Sequence, residues 1–241
     1  MTDYKQILTP TNRDSGQGEM FVPFGPLIAY QCLSEDTVKE LNRICDDHVK
    51  GKHKLSDHSN TLVGKVREEL SMPDEGASLV MDEIGVLLDN YLKVSDARLR
   101  LSEVKSHINL KTRPGVNAWY VRQFAGDYNP IHQHTKCDFS CIGFLKIPNH
   151  LEREWEREDE KLGQNATNKS VSQGLTQFVS GDGGQDWTLN GFYLKPKAGD
   201  FWLFPAHLQH MVWPFRGKGE RRSFSMNIAL DERRMTGEII E

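Results

Sequence analysis

Two hydrophobic periods divide the chain. In residues 33–50, Val38, Leu41, Cys45 and Val49 recur at helical spacing and make one face apolar. Ser34 stands before this run as an N-cap, and Glu35 and Asp36 complement the positive end of the helix dipole. A second helix is predicted over residues 78–93, with Val80, Ile84, Leu87, Leu88 and Tyr91 as its stripe. From about residue 106 the pattern changes. Short aromatic and β-branched runs ("VNAWYVRQF", "FSCIGFLKI", "LTQFVS", "WTLNGFYLKP", "DFWLFP", "RRSFSMNIAL") alternate with Gly, Pro and Asp. Such closely spaced strands predict a β-sandwich or barrel. The expected architecture is therefore α+β: a helical support region over residues 1–105 and a β core over 106–241, integrated into one domain. The first twenty residues are polar and predicted to be irregular. Residues 149–175 are charged and then polar, which predicts a solvated insertion or, functionally, a lid over a site.

The last strand carries the first chemical signal. Arg221, Ser223, Ser225 and Asn227 occupy one parity, and Phe224, Met226, Ile228 and Leu230 the other. One face of this strand packs in a core and the other is polar. An inward Arg followed two positions later by an inward Ser makes a carboxylate receptor, since the guanidinium offers a bidentate fork and the hydroxyl one more hydrogen bond. The alternative is an ordinary surface salt bridge. A bulge would shift the register and turn Arg222 inward instead.

The stretch "NPIHQHTKCD" supplies His132 and His134. In an extended strand these two point to the same side, and Pro130 disfavours a helix there. By itself the pair is equally consistent with two polar residues at a strand end. The stretch "AGDFWLFPAHLQHMVWPF" adds His207 and His210, with His210 opening a short extended run. His210 lies 76 positions after His134 (210 − 134) and 11 before Arg221 (221 − 210). Three histidines on one metal leave coordination positions open, which is the arrangement of non-haem Fe(II) oxygenases, where one of the three ligands is usually a carboxylate.

Over residues 119–227, the strings "WYVRQFAGDYNPIHQH", "SCIGFL", "KPKAGDFWLFPAHLQHMVWP" and "GERRSFSMN" resemble the Fe(II)/2-oxoglutarate-dependent oxygenases. They are most similar to the small 2OG-Fe(II) oxygenases of bacteria and phages. The resemblance implies a double-stranded β-helix (a jelly roll, cupin-like) with the N-terminal helices packed on it. It implies Fe(II), 2-oxoglutarate as cosubstrate and O₂, with hydroxylation of a small-molecule or peptide substrate and release of succinate and CO₂. Metal ligands would be His132, His134 and His210, and 2-oxoglutarate would be bound by Arg221 with Ser223. Most members have H-x-D, whereas here the middle position is His134. Asp138 is the alternative second ligand. It shares parity with His134 but lies six residues from His132 (138 − 132), about 20 Å if extended; only a sharp turn at 135–137 would return it. His134 is therefore preferred. A halogenase would have Ala or Gly at that position. His207 is read as non-ligating, an outer partner of a ligand, and His107 and His150 as ordinary. Two other readings stay open: a cupin-like metal-binding protein, or a three-His dioxygenase that does not use 2-oxoglutarate.

Composition narrows the classes. The net charge of −4 supplies no basic footprint for nucleic acid. No apolar run approaches the ~20 residues of a membrane span, and no signal core opens the chain, so a cytoplasmic location is expected. Cys32, Cys45, Cys137 and Cys141 form no C-x-x-C pair and are expected as free thiols. Of the tryptophans, Trp119, Trp187, Trp202 and Trp213 are expected mostly in the core, with pocket lining as the alternative role.

Overall fold

A computed structural model describes residues 7–8, 10, 13–14, 16, 18–21, 25–59, 64–99, 115–162, 173–179, 191–231 and 235. The elements follow in the order β1 (Ile7–Leu8), β2 (Gly18–Phe21), β3 (Ile28–Cys32), α1 (Glu35–Val49), β4 (Glu68–Ser71), α2 (Asp74–Leu99) and β5 (Gly115–Gln123). Then come β6 (Asn129–His132), β7 (Phe139–Lys146), α3 (Asn149–Leu162), β8 (Thr176–Val179), β9 (Gly191–Leu194), β10 (Asp200–Pro205), β11 (His210–Val212) and β12 (Arg221–Ala229).

A seven-stranded sheet has the order β2-β3-β10-β7-β12-β5-β4, and a five-stranded sheet the order β1-β9-β8-β11-β6. Among the described pairings, all but β1–β9 are antiparallel. The two packed sheets form a double-stranded β-helix, with α1 and α2 laid on the outer face of the larger one. Alternation along β12 explains the layering. Phe224, Met226 and Ile228 join the helix-side core with Leu41, Ile44, Val80, Ile84 and Leu87. Arg221, Ser223 and Ser225 point instead into a cavity between the sheets. The inter-sheet core itself is built from Ile142, Phe144, Trp202, Phe204 and Phe178. Each such large apolar side chain contributes about 1.5–3 kcal/mol on burial.

Ser34 caps α1, its hydroxyl accepting from the Thr37 backbone N–H. The buried face of α1 is Thr37, Leu41, Ile44 and Cys45; Val49, predicted on that stripe, is 49% exposed. It ends the helix just before the left-handed turn at Gly51 (φ 72°), where the chain leaves the sheet. The α2 stripe is buried as predicted, and the helix is longer at both ends than residues 78–93.

Two expectations change. Residues 1–105 are not only a helical support, because β2 and β3 extend the large sheet beyond β10 and β4 closes its far side on β5. The run Ile28–Gln31 is buried throughout, so it lacks the alternation that marks a half-buried strand. The charged stretch from 149 begins as the helix α3, not as a solvated insertion. Leu151 and Trp155, one turn apart, are buried in the inter-sheet core, and the Trp155 indole donates to the Gln173 carbonyl at 2.9 Å. The remainder of that stretch, 163–172, lies outside the described residues, as do His107 and Trp187.

Candidate metal centre

The Asp127 carboxylate builds the turn that leads into the site. Its Oδ2 accepts the backbone N–H groups of Phe124 (2.9 Å) and Arg67 (3.2 Å), and Gly126 supplies the positive φ (85°) of the turn. The chain then enters β6, the edge of the small sheet. In the β6–β11 ladder His132 and His210 are direct cross-strand partners, so their side chains leave the sheet together.

His134 lies beyond the end of β6, not within the strand as its spacing implied. It is held by its backbone N–H on the Ala206 carbonyl (2.8 Å). The three rings converge, with centroids 4.3 Å apart for His132–His210 and 5.2 Å for each of the other two pairs. One nitrogen from each ring lies within 4.8 Å of the others, so one ion could be held by all three.

Tautomers follow from the outer partners. The Nδ1 of His132 meets the Pro130 carbonyl at 2.7 Å, and the Nδ1 of His210 meets the Leu208 carbonyl at 2.9 Å. A carbonyl only accepts, so each Nδ1 carries the proton and each Nε2 keeps a free lone pair. The Nε2 atoms of His134 and His210 face each other at 3.3 Å. A cation between them, or a proton on His134, relieves that contact. Burial, reinforced by neighbouring His132, lowers His134 to about 4 and His210 to about 3. Burial also lowers His132. All three are therefore neutral near pH 7, the state that binds metal. Phe204 packs edge-on against His210 (4.9 Å), and Trp119 lies 5.9 Å from His134.

A cavity opens beside the rings, lined by His132, His210, Phe204, Gln123, Arg221 and Ser223 among others. Arg221 is 1% exposed. Its Nη1 donates to Gln123 Oε1 (2.5 Å), its Nη2 to Thr176 Oγ1 (3.1 Å), and its Nε has no partner among the described residues. Burial lowers Arg221 to about 9, so it stays charged at neutral pH.

Residues 117–227 match the family described as "Putative 2OG-Fe(II) oxygenase". Over those residues, a little under half of its length, the chain is similar to the Fe(II)/2-oxoglutarate oxygenase superfamily. Solved structures agree on the fold. A Pseudomonas putida prolyl-4-hydroxylase is 15% identical, covering 84% of this chain and 91% of its own, with a TM-score of 0.51. A Trichoplax adhaerens prolyl hydroxylase, solved with a hypoxia inducible factor peptide fragment, is 12% identical, covering 92% and 87%, with a TM-score of 0.50. No curated protein matches the chain.

The histidine cluster contains no carboxylate among the described residues. Asp138 is placed elsewhere: its Oδ2 accepts the Leu230 backbone N–H at 2.8 Å, tying the turn before β7 to the end of β12. That turn includes Lys136 with φ 61°; it brings Asp138 to β12, not to the rings. His207 is exposed in the β10–β11 turn, and the outer partners of the rings are backbone carbonyls instead. Arg222 points to the helix side, where Glu220, Asp46 and Asn42 bind it. A register shift does occur between Arg222 and Ser223 against β7, yet Arg221 and Ser223 both still face the cavity.

The other flagged residues are structural. His150 donates to the Arg216 carbonyl at 2.6 Å. Trp202 is buried in the inter-sheet core and Trp213 donates to Gln177 at 2.8 Å, so Trp119 is the tryptophan beside the rings. Cys32, Cys45 and Cys141 are free thiols. Among the described residues no helix is long and apolar enough to cross a membrane.

Two hydrogen-bond partners of Arg221 escaped the sequence reading. Gln123 was detectable in principle, because it shares parity with Trp119 and Val121 on β5. Thr176 reaches Arg221 from the other sheet, and nothing local in "LTQFVS" signals that.

Proposed function

We propose that this protein is an Fe(II)- and 2-oxoglutarate-dependent dioxygenase that hydroxylates a small-molecule or peptide substrate. The observation that carries the proposal is Arg221, a buried cation without a carboxylate partner among the described residues, in the cavity beside the histidines. A charge in such a place is costly unless an anion completes it.

In this reading His132, His134 and His210 hold the metal through neutral imidazoles, with the Pro130 and Leu208 carbonyls fixing two of the rings. Arg221 and Ser223 anchor the distal carboxylate of 2-oxoglutarate and so orient its keto-acid end toward the histidines. Phe204 and Trp119 wall the site against water. Bound Fe(II) would supply the redox chemistry with O₂ by which 2-oxoglutarate becomes succinate and CO₂ while the substrate is hydroxylated.

A second reading rests on the donor set. Three imidazoles without a carboxylate suit a dioxygenase that does not use 2-oxoglutarate, or a cupin-like protein that binds zinc. Arg221 separates the two, since neither alternative needs a buried carboxylate receptor. The test is anaerobic titration of the Fe(II)-loaded protein with 2-oxoglutarate, followed by succinate release in air. A visible absorption band that is lost in Arg221→Ala supports the first reading. Metal binding with no band and no succinate favours the second.

A further inference from the structure

Arg221 can only donate hydrogen bonds, and this decides how its neighbour is oriented. The Gln123 side chain is 1% exposed and meets the guanidinium at 2.5 Å. The atom facing the guanidinium must be the amide oxygen, so the amide nitrogen is turned away from it. That nitrogen, Nε2, is buried and without a partner among the described residues, as is Nε of Arg221. Both residues line the same cavity as Ser223 and the histidines.

The backbone makes this arrangement specific. Gln123 and Arg221 are cross-strand partners on β5 and β12, and Val121 and Ser223 form a neighbouring pair. On the opposite sheet, Thr176 of β8 takes Nη2 of the guanidinium. The guanidinium is thus pinned between the sheets by two neutral acceptors. Both of these groups satisfy Arg221 in part, and neither cancels its charge. Donors are left over at this end of the cavity: two N–H groups on Gln123 Nε2 and, of the five on Arg221, the one on Nε and the second on each Nη. Orphaned buried donors next to an uncompensated cation call for an anionic acceptor.

We propose that Gln123 is a specificity-determining residue of the cosubstrate site, its amide N–H group donating directly to the distal carboxylate that Arg221 binds. The inference rests on the 2-oxoglutarate reading above. It adds that the receptor is a donor pair, an amide and a guanidinium locked together, and not an arginine alone. A carboxylate accepts from both at once. An uncharged alkyl end leaves both desolvated and unsatisfied, so the cavity selects a diacid over a monoacid of equal length.

The test uses the full chain loaded with Mn(II), with calorimetric affinities for 2-oxoglutarate and for 2-oxopentanoate, which has the same chain length but no distal carboxylate. Gln123→Glu places a carboxylate on Arg221 and repels the ligand. Gln123→Met keeps the bulk and removes the donor. The expected weakening of 2-oxoglutarate binding is on the order of 100-fold for Gln123→Glu and about tenfold for Gln123→Met. Affinity for Mn(II) should stay within twofold of the parent, and 2-oxopentanoate should bind no more weakly than to the parent, because each variant removes the amide donor that an alkyl end leaves unsatisfied. A merely structural role for Gln123 would move all of these together, and that result overturns the proposal. So does unchanged 2-oxoglutarate affinity in Gln123→Met, which is decisive even if Gln123→Glu does not fold. If the parent protein loaded with Mn(II) binds no 2-oxoglutarate, the reading of the site falls and this inference falls with it. If the parent binds it and the variants bind it equally well, only the inference falls.

Discussion

Arg221 and Arg222 are consecutive, both are buried to within 2% of full burial, and they live in opposite electrostatic worlds. Arg222 faces the helices. Glu220 takes its Nε and Nη2 at 2.9 and 3.1 Å, Asp46 accepts at 2.8 Å, and the Asn42 side chain accepts at 2.9 Å. Burial lowers Arg222, but Glu220, Cys45 and Asp46 together more than offset this and leave it raised. Arg221 faces the space between the sheets, where among the described residues the neutral Gln123 and Thr176 accept its hydrogen bonds and the Phe144 ring lies 5.0 Å away, and burial lowers it. Strand alternation separates the two side chains. The difference teaches that a buried charge complete within the fold serves the fold, whereas one left incomplete marks a candidate ligand site, as proposed for Arg221.

The contrast breaks most visibly at Arg221. Arg221→Met should weaken 2-oxoglutarate binding by more than about 100-fold, the scale of a lost charged, bidentate contact. Unfolding in urea should show stability unchanged or raised by about 1 kcal/mol, since an unpaired buried cation has been removed. A large loss of stability would show that Arg221 belongs to the fold after all. Arg222→Met should do the reverse. It takes the Arg222 hydrogen bonds from Glu220, which keeps Arg122 and Lys146, and should cost about 2 kcal/mol in urea unfolding, the scale of hydrogen bonds to a charged group, while 2-oxoglutarate affinity holds.

Acid titration sharpens the same contrast. Burial would raise Glu220, but hydrogen bonds from Arg222 and Arg122 outweigh it and bring the carboxyl to about 2, against an ordinary value of 4.5. With the folded value depressed, the stabilisation is fully present above 4.5 and is lost as pH falls toward 2. Glu220→Gln should flatten that part of the stability–pH curve, measured by thermal unfolding across the window. The smallest effect concerns Asp138, an acid that closes a turn and not the metal site. Asp138→Ala should cost about 1 kcal/mol, the worth of one hydrogen bond, and leave metal content, measured by elemental analysis, as in the parent.

Much of this molecule was legible locally. The α2 stripe and the Ser34 cap are periodic or positional signals within one element, and β12 announced its two faces through its own alternation. The Ile28–Gln31 strand was not legible, because a run buried on both faces carries no period. Helix α3 was hidden by charge. Two apolar residues one turn apart, Leu151 and Trp155, anchor a segment whose composition reads as solvated.

For the candidate site, parity and residue chemistry singled out His132, His134, His210, Arg221 and Ser223, and the family resemblance supplied the roles expected of them; the fold brings the three histidines together and turns Arg221 and Ser223 to the cavity beside them. Tertiary structure decided what those parities could not. The turn through Lys136 gave Asp138 to β12, the β6–β11 register set His132 against His210, and the stacking of two sheets carried Thr176 to Arg221. Sequence periodicity records which face a residue occupies, but distances between strands far apart in the chain exist only once the sheets have packed.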